Sequence, residues 1–82
     1  MRVRVLFFAH QRDLFGAPEK EFDLPEGATV AGLAQTLARL DSRLDDLLAY
    51  TRVAVNEDWA TAETPLNTGD TVAFLPPMSG GS

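Results

Sequence analysis

Apolar and polar positions alternate at the start of this chain, and that alternation sets its first element. Residues 2–9, RVRVLFFA, combine β-branched and aromatic side chains with a period of two, which predicts a strand. Val3, Val5 and Phe7 then share one face. Arg2, Arg4, Leu6 and Phe8 share the other, which turns from charged to apolar along its length. Residues 10–15 read as a short helical or turn segment, stopped by Gly16, Ala17 and Pro18. A second strand at 19–24 sets Lys20, Phe22 and Leu24 against Glu19, Glu21 and Asp23. Pro25, Glu26 and Gly27 then turn the chain.

The period changes next. Val30, Leu33, Leu37 and Leu40 recur at spacings of three and four, one apolar stripe of a helix over 30–40, with Thr29 as its N-cap. Gly32 inside that helix costs about 1 kcal/mol relative to alanine. Leu44, Leu47 and Leu48 predict a second short helix or helical turn within 41–50. Residues 52–56 are a third strand, 56–58 a turn, and Trp59 opens a brief strand. Turn chemistry at 66–70 precedes the last strand at 71–75. The order strand, strand, helix, strand, strand is the β-grasp pattern of ubiquitin-like proteins, an α+β fold. One helix covers one face of a small mixed sheet and leaves the other open. A crossover joining parallel strands would be right-handed.

Composition narrows the function classes. Eighty-two residues make one domain, read as a folded unit at 1–75 and a C-terminal tail at 76–82. A net charge of −5 argues against nucleic acid, whose phosphates call for a basic footprint. No apolar run approaches the ~20 residues of a membrane span, and no signal peptide opens the chain. With no cysteine, disulfides and thiolate metal sites are excluded, and a cytoplasmic setting is expected. No metal is expected either. His10 is the only histidine, and Asp45 and Asp46 beside Asp41 read as a solvated face. Gly16, Gly27, Gly32 and Gly69 stand apart, so no phosphate-cradling loop is present.

The candidate chemistry lies at the far end. Pro76 and Pro77 limit φ at the base of the tail; Met78 and Ser79 follow, and Gly80 and Gly81 leave the tip without Cβ atoms. Six extended residues from Pro76 span roughly 20 Å, enough to carry a carboxyl group away from a small domain into a narrow site. Three stretches together, VRVLFFAHQRDLFG at 3–16, AVN at 54–56 and LNTGDTVAFLPPMSGG at 66–81, resemble the small-subunit family of molybdopterin synthase, which are sulfur-carrier proteins. The resemblance spans essentially the whole chain, and a Gly-Gly preceded by GDxVxFxPP is its most specific part.

The resemblance implies a mechanism. An adenylating enzyme of the ubiquitin-activating type, using ATP and magnesium, would activate the Gly81 carboxylate. A sulfur donor would convert the acyl-adenylate to a thiocarboxylate. The tail would then enter the large subunit of the synthase and deliver sulfur to cyclic pyranopterin monophosphate. This chain would bind no cofactor itself and would hold no complete active site. Leu6, Phe8, Trp59 and Leu75 are expected to share the uncovered sheet face as the partner-binding surface. Arg12 fits the family pattern after the first strand, as a partner contact or a brace for the turn.

Ser82 departs from the family pattern, in which glycine is terminal. Gly81 is expected to react once Ser82 is lost. The alternatives are a residue added to the expressed chain, an activating enzyme that accepts serine, and an inactive copy. Rival functions are a carrier for thiazole (thiamin) or tungsten cofactor synthesis, a ubiquitin-like modifier of lysines, and a binding module whose tail never reacts.

Overall fold

The computed structural model describes residues 1–8, 16–45 and 47–75. The segment expected at 10–15, with His10 and Arg12, and the tail at 76–82 lie outside the described residues. Five strands form one mixed sheet: β1 (Arg2–Leu6), β2 (Glu19–Asp23), β3 (Arg52–Val55), β4 (Asp58–Ala60) and β5 (Thr71–Leu75). Their spatial order is β2-β1-β5-β3-β4. β1 and β2 pair antiparallel, and so do β3 and each of its neighbours, β4 and β5. β5 enters between the two hairpins, parallel to β1. The helix α1 (Val30–Leu40) covers one face, followed by a 3-10 turn (Ser42–Leu44) and a single-turn helix α2 (Leu47–Tyr50). This is the expected α+β, β-grasp architecture.

The period-two pattern decides which side chains meet the helix. Val3 and Val5 of β1, Val53 of β3, and Val72 and Phe74 of β5 all point to the α1 side and are buried. They pack with Val30, Leu33 and Leu37, with Leu44 from the 3-10 turn and with Leu47 from α2. Each such side chain contributes roughly 1.5–3 kcal/mol by leaving water. Phe7 joins this core, its ring edge-on to Phe22 at 6.5 Å between centroids.

Both ends of α1 follow from local chemistry. Thr29 is the N-cap, its Oγ1 accepting from Gly32 N–H at 3.3 Å. The two N–H groups before that are taken by the loop leading to β5. Val30 donates to the Thr64 carbonyl at 3.0 Å and Ala31 to the Ala62 carbonyl at 2.9 Å. At the other end the predicted stripe needs a correction. Leu40 is 60% exposed, and Ala34 is buried in the stripe instead. The chain leaves the helix at Asp41, and Leu44 and Leu47 fill the core below its last turn, so no apolar surface remains for Leu40.

Two strands end one residue before the predicted boundary. Leu24 lies past β2, but its N–H donates to the Met1 carbonyl at 2.7 Å and its side chain is buried. β3 stops at Val55 because Asn56 (φ 52°) and Glu57 (φ 74°) form a two-residue hairpin loop, with Val55 opposite Asp58. Asparagine tolerates this left-handed backbone. Glutamate does not, and an ordinary side chain there costs roughly 1–2 kcal/mol. Asn56 fastens the turn to the neighbouring loop. Its Nδ2 donates to Asp70 Oδ1 at 2.9 Å, and its Oδ1 accepts from Thr71 N–H at 2.9 Å.

Candidate functional site: the open sheet face

Among the described residues no helix covers the second face of the sheet, and strand pairing fixes what lies on it. Glu19, Leu6, Ala73, Ala54 and Trp59 stand in one row across all five strands, each opposite the next. The next rows place Glu21, Arg4 and Thr71 on one side and Leu75 beside Arg52 on the other. The result is a face in two parts. Charge covers β2 and the start of β1, while an apolar band runs from Leu6 across β5 and β3 to Trp59.

The band is concave for a simple reason. Its floor is alanine, Ala54 and Ala73 on the adjacent strands β3 and β5, while Leu6, Leu75 and Trp59 stand higher around them. Together with Thr71, Asn56 and Glu57 they line a depression of about 550 Å³. Trp59 is 59% exposed, an unusual position for so large an apolar side chain. The Arg52 guanidinium lies over its indole, 3.8 Å from the ring centroid, which restrains the ring without hiding it.

The charged part is internally matched. Arg2 forks onto Asp23 at 3.1 Å through Nε and Nη2, and reaches Glu21 at 3.2 Å. These bonds hold the Asp23 carboxyl below the usual carboxylate range and raise the Arg2 guanidinium further. Arg4 pairs with Glu19 at 3.6 Å. Exposed pairs like these contribute little to stability. Their effect here is to leave the β1–β2 side hydrated and the apolar band with a sharp boundary.

Three of the four residues expected on the partner-binding face, Leu6, Trp59 and Leu75, are thus brought together. Phe8 is 38% exposed but lies two residues beyond β1 and does not line the depression. Sequence reasoning missed Ala54 and Ala73. Their parity with Leu75 and Trp59 was available, but alanine carries no apolar signal of its own. It also missed Arg52 over Trp59, whose contact depends on the register of a three-residue strand. Gly81 and the tail residues Pro76, Pro77, Met78, Ser79 and Gly80 lie outside the described residues, but the chain enters them from Leu75, at the edge of the band.

Among the described residues no three acidic or histidine side chains are grouped so as to hold a metal ion. No helix among them is long and apolar enough to cross a membrane.

The chain is similar to several known proteins. The model of the ThiS family matches residues 5–81. A molybdopterin synthase sulfur carrier subunit of Escherichia coli (strain K12) is 42% identical over 87 positions, covering 96% of this chain and 99% of that protein. Its counterpart in Chlamydomonas reinhardtii is 32% identical over 83 positions, covering 99% and 100%. A solved structure from Pyrococcus furiosus, described as a candidate molybdopterin converting factor subunit 1, superposes with a TM-score of 0.84 at 31% identity, covering 95% of this chain and 99% of that one.

Proposed function

The chain belongs to the ThiS family, and from that premise we propose that it is the sulfur-carrying small subunit of a molybdopterin synthase, acting in molybdenum cofactor biosynthesis. One observation carries the reading on the structural side. The open apolar band ends at Leu75, and the next residues are the Pro76-Pro77 entry to Gly80-Gly81. A partner seated on the band therefore receives the tail at its own surface. Residues 1–75 are the docking domain and 76–82 the tail that threads into the partner.

The chemistry belongs to the Gly81 carboxyl group. Its oxygen attacks the α-phosphate of magnesium-bound ATP on a ubiquitin-activating-type enzyme, releasing pyrophosphate. A donor delivering sulfur at the sulfide level displaces AMP and leaves a thiocarboxylate. In the large synthase subunit that soft anionic sulfur attacks a side-chain carbon of the pterin precursor, forming a C–S bond as the C–O bond there breaks and its oxygen leaves. Water then cleaves the acyl link and regenerates the carboxylate. The tail contributes positioning, which converts an encounter into an intramolecular step. Acid and base groups are supplied by the partners, and the setting is the cytoplasm.

The test is reconstitution. A chain ending at Gly81 is incubated with the activating enzyme, magnesium-ATP and sulfide, and its intact mass is read. It is then mixed with the large subunit and cyclic pyranopterin monophosphate. One oxygen-to-sulfur exchange per chain, followed by dithiolene formation with two chains consumed per pterin, is the expected result. Activation without sulfur uptake, with the chain joined instead to lysines, would establish the modifier reading.

A further inference from the structure

Charge on the open face is matched within the molecule, with one exception. Arg2 is bonded to Asp23 and Glu21, Arg4 is paired with Glu19, and Arg52 lies over Trp59. Glu57 has no such partner among the described residues, although it lines the apolar depression. Its place is also conformationally costly. It occupies the second position of a two-residue hairpin loop at φ 74°, where glycine sits without strain. An exposed, unmatched carboxylate held there does nothing for the fold. Such outliers are found where a side chain has another use.

Position indicates the use. The Asn56-Glu57 loop adjoins Thr71, since Asn56 N–H donates to the Thr71 carbonyl at 2.8 Å. The tail leaves from Leu75, four residues further along β5. The carboxylate and the tail exit therefore stand at opposite ends of the band, about 13 Å apart by strand rise. An apolar band alone holds a partner without fixing how it is turned. A charge pair at the end remote from the tail fixes that orientation and aims the tail.

We propose that Glu57 is the orienting contact of the docking face, receiving a lysine or arginine side chain of the large synthase subunit. This deepens the functional reading above and rests on it.

The experiment measures association and dissociation rates with the purified large subunit for the native chain, Glu57→Gln, Glu57→Gly and Ala73→Asp, at low ionic strength and at about 0.5 M salt. Glu57→Gln is expected to slow association about three- to tenfold at low salt, with the difference vanishing at high salt, as for a rim charge. Glu57→Gly should bind as poorly as Glu57→Gln while melting at a higher temperature than the native chain. A merely structural role would move stability and affinity together. Native-like kinetics of Glu57→Gln at both salt concentrations, with Ala73→Asp failing to bind, would overturn the role of Glu57 and leave the docking face standing. Native-like binding by Ala73→Asp as well would overturn the face itself. A defect confined to the activating enzyme would also refute the assignment to the large subunit.

Discussion

Ala73 is the position at which docking and folding separate most cleanly. It sits in the central strand β5 between Leu6 and Ala54, on the face without a helix, and is partly exposed. Replacing it with aspartate adds a charge to the floor of the depression without opening a cavity. The free protein keeps that carboxylate in water, so the cost to folding is the strand preference, about 1 kcal/mol. For a domain of this size that lowers the melting temperature by about 4–8 °C. In the complex the carboxylate lies under the partner with no cation opposite it. Leaving a charge unpaired at a buried interface costs about 3–5 kcal/mol. The group can escape by taking a proton, which at pH 7 costs about 4 kcal/mol from an ordinary carboxyl pKa. The loss is therefore bounded between roughly 150-fold and 1,000-fold in affinity. It should relax as the pH is lowered towards 5, because protonation becomes cheaper. Titration calorimetry with the large subunit at pH 7 and pH 5, beside a thermal melt, measures all of this. Unchanged affinity in a folded variant would refute the argument. So would a fall of more than roughly 15 °C in melting temperature, which would place Ala73 inside the packed core.

Other outcomes follow from the same structure. Phe74→Ala, at the buried centre of β5, should lose about 3–5 kcal/mol, read as a lower urea midpoint with little change in slope. Deleting residues 80–82 should abolish sulfur transfer, while the thermal melt stays within about 2 °C of the native value because 1–75 carry the fold. Asp41 accepts from the Arg43 guanidinium at 2.9 and 2.7 Å and from its backbone N–H at 3.0 Å, and these bonds hold its carboxyl below its ordinary value. Its contribution to stability is complete above that ordinary value and is lost as the pH falls through the lower folded one. Asp41→Asn, which keeps a capping side chain, should flatten the acid limb of the stability profile below about pH 4 in urea titrations.

The amount legible in the sequence differed from element to element for physical reasons. α1 and β5 could be bounded to the residue because period and caps agreed: Thr29 with the 30, 33, 37 spacing, and the turn at 66–70 before five strand-forming residues. Leu40 shared the helical period yet lies outside the core. Periodicity reports which side of a helix a residue is on, not whether anything covers that side at its last turn. The parity of β1 placed Leu6 on the open face correctly, since one buried face fixes the whole alternation. Phe8 had the same parity but stands past the end of the strand, where parity no longer governs. The alanine floor was not read because it arises from the register of β3 with β5, strands distant in sequence, and the Arg52–Trp59 contact because it depends on how the two-residue Asn56-Glu57 loop closes the hairpin. Glu57 was read only as a member of a turn, since its positive φ comes from closing a two-residue loop where glycine would be the usual signal.

The placement of β5 bears on when this molecule becomes competent. The strand lies between two hairpins that are joined within the sheet only through it, and it is the last strand of the described chain. A truncated chain without it has no continuous sheet, only two two-stranded ribbons linked through α1 and the loops, and loses Val72 and Phe74 from the core. The apolar band does not exist in that state either, because Ala73 and Leu75 belong to β5. Surveillance is thereby built into the topology. Under the proposed function, a partner that grips the band would accept only chains whose sheet is complete.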